Sequence, residues 1–404
     1  MRNLLSVADA LQRVLEHAAP LPAEEVPLSH AAGLVLAYPL KALRTQPPAD
    51  VSAMDGYAVR AGDVVHVPVR LKVIGEVAAG RPFGQTLGPG EAARIFTGGV
   101  LPPGTDAIVI QENTLREGDA VVITAPSSKG KHVRVEGLDF KRGAVLLARG
   151  HRLTDRDLAL AAAMNHPTVP VHRRPKVAVL ATGDELVMPG ATPGFGEIVY
   201  SNGYATMALA RREGCDVIDL GIVPDRLAET TAGVRRARDA GADILVTSGG
   251  ASVGDYDLVQ GALAAEGLAL SFWKVALRPG RPMMHGRLGP MHVLGLPGNP
   301  VSAYVCAALF LVPLIRRLAG RGDIAPAPDT ARLGCDLPAN DERADYLRAT
   351  LAIGPDGVPI ATPAPVQDSS MLMLLARADC LLVREPHAPP AKAGERCSII
   401  RLAC

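Results

Sequence analysis

The sequence predicts a multi-domain chain of α/β and β parts. A central α/β domain has a mostly parallel sheet, a small β module is inserted into an N-terminal domain, and a β domain ends the chain. Three observations lead there. At 404 residues the chain is too long for one ordinary core. From residue 175 to 322, apolar runs of strand length alternate with helical patterns, as in parallel strands joined by crossover helices. Before and after that stretch come short β-like runs separated by Gly and Pro turns. The expected boundaries are 1–46 with 138–174 for the N-terminal domain, 47–137 for the inserted module, 175–322 for the α/β domain and 323–404 for the last.

Residues 6–17 read as a helix with Ser6 as N-cap and Pro20 past its end. LSHAAGLVLAYPLKAL is a short helix-strand piece, and TQPPADVS breaks it. LKVIGEV, EAARIFTGG, DAIVIQEN and AVVITA then supply the module's strands, before residues 142–173 return to strand and helix. KVAVLA opens the α/β domain as a strand. SNGYATMALARREG follows as a helix capped by Ser201 and stopped by Gly214. CDVIDLGIV and ADILVTSGG are strands around the helix LAETTAGVRRARDAG. DLVQGALAAEG is helical, strands lie around FWKVAL and MHVLGL, and NPVSAYVCAALFLVPLIRRLAG is a long apolar helix. RLGCDLPA, DYLRATLAI, CLLVREP and CSIIRLAC are the strands of the last domain.

Composition narrows the function classes. A net charge of +1 argues against a nucleic-acid or membrane-surface binder, and aromatics at 3% leave little for a base-stacking platform. The six cysteines show no CxxC and no zinc spacing with histidine, so reduced, mostly buried thiols and a cytoplasmic location are expected. The N-terminus lacks the apolar core of a signal peptide. The longest apolar run, 301–315, is short for a membrane span and is broken by Pro313.

Ligands in open α/β sheets sit beyond the carboxyl ends of the strands. Three such ends carry unusual chemistry here: TGDEL (182–186), PDR (224–226) and TSGGASVGDYD (247–257). They place Asp184, Glu185, Asp225, Asp255 and Asp257 on one rim. Singly, each could cap a helix or sit in a turn; jointly they repel unless a cation or proton relieves them. Ser248, Gly249, Gly250, Ser252 and Gly254 make a glycine-rich cradle whose backbone N–H groups can approach an anion. Carboxylates beside a phosphate cradle imply Mg²⁺ bridging the two. The pattern is neither a dinucleotide fingerprint nor a Walker loop. A second anion site is suggested by Lys274, Arg278 and Arg281 in FWKVALRPGRP, facing the helix start LPGNPVSA with Pro297, Asn299, Pro300 and Ser302. Surface charges and an ordinary cap are the alternative.

With PPADVSAMDGYAV, IFTGGVLPPGTDAIV, ATGDEL, TSGGASVGDYD, FWKVALRPGRP, GLPGNPVSA and DYLRA in order along almost the whole length, the chain resembles the MoeA-type molybdopterin molybdenumtransferases, the family of the gephyrin E domain. The middle domain resembles the smaller MogA/MoaB proteins. The resemblance implies insertion of molybdate, as substrate, into adenylylated molybdopterin with release of AMP, completing the molybdenum cofactor. It also implies Mg²⁺, a homodimer whose active site is shared between subunits, and transient contact with a MogA-type adenylyltransferase and with cofactor-accepting proteins. By motif, Asp55, Thr97 and Asp139 would reach the cleft from the module and its exit. Glu185, Asp225 and Asp257 would hold Mg²⁺ or orient water. Lys274 and Arg278 would bind phosphate or molybdate, Pro297 to Ser302 would shape the pocket, and Arg348 and Ser369 would contact molybdate.

Asp55, Thr97 and Ser369 could instead structure turns, Asp139 could be a loop aspartate, and Arg348 could be a surface pair partner. Arg278 and Arg281 stand where many members have lysine, and a planar fork is not a point charge. QDSSMLMLL (367–375) departs from the family's Gly-Ser-rich pattern and puts Asp368 beside the proposed oxyanion site. Two other functions compete: a nucleotide-binding pyrophosphatase without metal insertion, and a non-catalytic scaffold.

Overall fold

The computed structural model describes residues 4–249 and 258–402. Helix α1 (Val7–Leu15) starts where expected: Ser6 is extended and its hydroxyl accepts the Asp9 N–H at 3.0 Å. Its buried face, Ala10 and Val14, packs with Ala18 into the core of the α/β domain rather than with the strands that follow it. Those strands form a separate body. Ala23–Pro27 pairs antiparallel with Thr168–His172, and Leu40–Lys41 with Val145–Leu147. Helix α2 (Asp155–Ala163), held by a reciprocal Thr154/Asp157 cap, covers Leu36, Phe140, Met164 and Val171.

The inserted module is a six-stranded mixed sheet: β1 (Gly56–Val59), β2 (Val69–Val77), β3 (Glu91–Ile95), β4 (Ala107–Ile110), β5 (Thr114–Glu117) and β6 (Ala120–Ile123) in the order β4-β1-β3-β2-β6-β5. Successive residues feed different clusters, Tyr57 and Val59 on one side and Ala58 on the other. Both faces are therefore covered, as period-two side chains require. β1 and β5 are strands that the sequence reading did not expect.

In the α/β domain β7 (Lys176–Thr182), α3 (Asn202–Arg212), β8 (Asp216–Val223), α4 (Leu227–Asp239), β9 (Ile244–Ser248), α5 (Leu258–Ala265), β10 (Ala269–Trp273), β11 (Met284–Leu288), β12 (Met291–Leu296) and α6 (Pro300–Leu318) follow in turn. The sheet order is β8-β7-β9-β12-β11-β10, with β11 alone antiparallel to its neighbours. α3 and α6 cover one face and α4 and α5 the other. α6 has the length and mean hydropathy, 1.7, of a membrane span, but 78% of it is buried inside the protein, as befits a core helix. One wide turn over Ala307–Leu311 precedes Pro313, which has no N–H and crowds the preceding turn.

The last domain closes on itself. β13 (Asp329–Leu333), β14 (Ala344–Ile353), β15 (Pro359–Pro363), β16 (Cys380–Arg384) and β17 (Arg396–Arg401) pair in the ring β14-β15-β13-β17-β16-β14. Leu277–Arg278 from the α/β domain adds parallel to β14. The five described cysteines are all unpaired, three of them buried.

Candidate active site

The carboxyl ends of β7, β9 and β12 are flush, because Ala181 lies opposite Ser248 and Ser248 opposite Leu296. From β7 the chain crosses to β8 on one side, then returns past β7 to β9 on the other. A crevice opens where those directions diverge. A cleft of about 300 Å³ occupies it, lined among others by Thr182, Glu185, Tyr200, Asn202, Ser248, Gly249, Asn299, Pro300 and Ser370.

Backbone geometry makes the floor. Gly249 has φ 93°, and a Cβ there would lie 2.3 Å from the carbonyl oxygen of Thr182. Only glycine lets the chain leave β9 this close to the end of β7. Gly250, Ser252, Gly254, Asp255 and Asp257 lie outside the described residues. The far wall is the N-terminus of α6, where Pro300 occupies the first turn and Ser302 is buried. Asn299 is the N-cap, but its amide donates to Ser369 Oγ at 2.8 Å instead of capping. The Val301 N–H donates to the Ser369 carbonyl at 3.0 Å. Asn202, at the start of α3, donates to the Gly298 carbonyl at 2.7 Å. Two helix N-termini, whose partial charge favours anions, thus meet at one opening with a loop of the last domain beside them. Ser201 stands at the expected N-cap of α3, yet its side chain makes no capping bond.

One carboxylate, Glu185, lines the cleft, and two more stand close to it. The Asp225 N–H donates to Asp184 Oδ1 at 3.1 Å. Desolvation, then the charges of Glu185 and Asp184, hold the Asp225 carboxyl above its usual value. Among the described residues no group of three His, Cys, Asp or Glu side chains could hold a metal by itself.

The expected convergence of three cations on this cleft is not what the fold builds. Arg278 donates from Nε to Asp345 Oδ1 at 2.7 Å, from Nη1 to Asp341 Oδ2 at 3.0 Å, and from Nη2 to Asn340 Oδ1 at 3.1 Å and to Asp345 Oδ2. Its strand segment pairs beside Asp345, so the fork meets those carboxylates and lines a separate cavity of about 420 Å³. Lys274 is half-buried at φ 94°, Arg281 is exposed, and neither lines the cleft. Pro297 is buried at the end of β12. Arg348 is no surface partner: it is 1% exposed, with Nη2 donating to the Asp368 carbonyl at 3.0 Å and Nε without a partner. Burial pushes its guanidinium down, with Asp368 opposing.

In the inserted module Thr97 donates to Asp55 Oδ1 from its N–H at 2.8 Å and its hydroxyl at 2.7 Å. These bonds, then the nearby Arg94, hold the Asp55 carboxyl below its ordinary range. Asp139 is exposed, its N–H donating to the Gln46 carbonyl at 3.0 Å. Within one chain, none of these three lines the cleft. Thr182, Tyr200, Asn202 and Ser370 line it without having been singled out from the sequence. The signal was SNG at a helix start just past a strand-like run, read there only as a cap.

Three family models cover the chain: the MoeA N-terminal region (domain I and II) over residues 5–165, a probable molybdopterin binding domain over 178–317, and the MoeA C-terminal region (domain IV) over 330–402. A molybdopterin molybdenumtransferase of Haemophilus influenzae is 34% identical over 399 residues, 98% of each chain. One from Nostoc is 42% identical over 305 residues, 74% of this chain and 70% of that one. The chain belongs to the MoeA family of molybdopterin molybdenumtransferases. The crystal structure of a molybdopterin biosynthesis MoeA protein from Pyrococcus horikosii superposes with a TM-score of 0.85 at 31% identity over 100% of both chains. The family's sequence motifs and its fold thus agree over the whole length, the inserted module and the closed terminal barrel included.

Proposed function

We propose that this chain inserts molybdate into adenylylated molybdopterin and releases AMP, in a Mg²⁺-dependent last step of molybdenum cofactor assembly in the cytoplasm. The observation that carries the reading is the cleft itself, lined by two helix N-termini, the Gly249 turn and Glu185, with Asp184 and Asp225 next to Glu185 at the strand ends. An anion receptor beside these carboxylates suits a phosphate-linked substrate whose charge is shared with a cation. Asp184, Glu185 and Asp225 stand together, the Asp225 N–H donating to Asp184 Oδ1, and hard carboxylate oxygens of this kind fit Mg²⁺. Glu185 and Asp225, with Asp257, would hold it. When bound, Mg²⁺ would shield phosphate oxygens from the carboxylates and polarise the linkage to be cleaved.

The chain's own groups supply the rest. The starts of α3 and α6 orient the phosphates, and the Ser369–Asn299 bond fixes the last domain's loop over the opening. Arg348, enclosed and with Nε free of any partner, is suited to a tetrahedral dianion near Ser369. Asp55, Thr97 and Asp139 would complete the site from a second copy in a homodimer. Transient contact with a MogA-type adenylyltransferase and with cofactor-accepting proteins would bring the substrate and remove the product. The test is molybdate-dependent AMP release from adenylylated molybdopterin by Glu185→Gln and Asp257→Ala. Both should stop release while melting as the parent does. Unchanged release in either would remove that carboxylate from the site, and release that ignores molybdate would favour a plain pyrophosphatase.

A further inference from the structure

Tyr200 is 3% exposed and lines the cleft, yet its hydroxyl is buried without any hydrogen-bond partner. It lies against the first turn of α3: a Cβ on Gly203 would come within 1.5 Å of its Oη. Gly203 is thus bare so that the phenol can reach the helix N-terminus. An enclosed, unpaired donor is costly in a folded protein and calls for an explanation. Here the explanation has a place, because Tyr200 lines the cleft and its hydroxyl lies against the first turn of α3. A neutral donor beside a positive helix end matches one kind of ligand atom, an anionic oxygen.

We propose that Tyr200 is a substrate-contacting residue, its hydroxyl donating a hydrogen bond to a phosphate oxygen of the bound pterin nucleotide. This rests on the reading of the cleft as a phosphate site. Burial first, then the charges of Asp219 and Tyr204, push the phenol up to about 12, so it stays protonated and able to donate at neutral pH. Asp219 and Glu185 are the nearby acids that would oppose an anion, which makes a neutral donor more useful than a second carboxylate.

The experiment uses the full chain, with inorganic pyrophosphate and AMP as calorimetric probes, and thermal melting in parallel. Tyr200→Phe should bind pyrophosphate about tenfold or more weaker, the effect of losing a hydrogen bond to a charged group. It should melt no lower than the parent, since the hydroxyl has no partner in the fold. In turnover the loss should fall on KM for the pterin nucleotide rather than on kcat. Gly203→Ala, which keeps the hydroxyl but evicts it, should weaken pyrophosphate binding as well. Equal affinity in Tyr200→Phe overturns the proposal, and so does a marked drop in its melting temperature, which would mean that the hydroxyl is bonded within the fold. If the parent binds neither probe, the phosphate reading of the cleft itself fails. Binding by the parent with an unaffected Tyr200→Phe removes this residue alone.

Discussion

Replacing Gly249 by alanine puts the geometry of the cleft floor to a quantitative test. Two separate costs arise. Residue 249 sits at φ 93°, where an L side chain is strained by roughly 1–2 kcal/mol. The new Cβ would stand 2.3 Å from the Thr182 carbonyl oxygen, a backbone atom that cannot rotate away, so the ends of β7 and β9 must separate at roughly 1–3 kcal/mol. The sum is about 2–5 kcal/mol, or a fall of about 5–15 °C for an α/β domain of about 150 residues that unfolds as a unit. Gly298→Ala is the control: it lines the same cleft, has no positive φ, and an added Cβ there meets nothing within 4 Å. The assay is thermal and urea unfolding of both variants beside the parent, with AMP release measured well below the transition. Gly249→Ala should be destabilised and inactive even where folded, while Gly298→Ala should melt with the parent. Equal melting of Gly249→Ala and the parent would refute the claim that a bare backbone is required there.

Glu213, at the end of α3, is buried with Arg316 at 2.9 Å and Arg321 at 2.7 Å. Arg321 keeps its pair with Asp323, so Glu213→Gln strands the Arg316 guanidinium alone and should cost about 3 kcal/mol, read as a shift of the urea midpoint. His285 and His292 are stacked and 2% exposed, and burial pushes their imidazoles down to about 3 and about 4. The unfolded chain takes up protons below about pH 6.5 that the fold refuses, so stability should be complete above that and fall below it, by about 2 kcal/mol per histidine at pH 5. His285→Phe should flatten the acid limb, and an unchanged limb would contradict the assignment. Asn299→Ala removes the bond to Ser369, so molybdate affinity by calorimetry should fall about fivefold or more while the melting temperature moves only a few degrees.

What could be read in the sequence follows from range. β7, β8 and β9, the helices between them and the long α6 are local patterns of periodicity and caps, and they appear where the reading put them. β11, MHGRL, escaped because Gly286 and Arg287 interrupt its apolar run and its antiparallel place in the sheet depends on β10 and β12. β15 is bracketed by prolines, which mask a strand. The glycine turn at 249 was legible because its chemistry is carried by residue type. Arg278 was not, because its partners Asp341 and Asp345 lie more than sixty residues away and meet it only through the pairing of Leu277 with Ala344. Tyr200 was invisible for a related reason: an unpaired hydroxyl is a property of its surroundings, and no string of letters shows a missing partner.

The pairing of Ala23–Pro27 with Thr168–His172 has a consequence for how the chain is made. The first domain needs both ends of a long excursion, so during synthesis it must wait with one strand exposed until residue 172 has left the ribosome. The module between them needs nothing outside its own span, and its six strands pair among themselves. Once folded it ties residues near 50 to residues near 135, through the Val133–Ser52 and Arg134–Val51 pairs. The loop between Pro27 and Thr168 is thereby shortened to less than half its length before its outer strands meet, which lowers the entropy of the last closure. The insertion that interrupts the domain in sequence is also what draws its halves together.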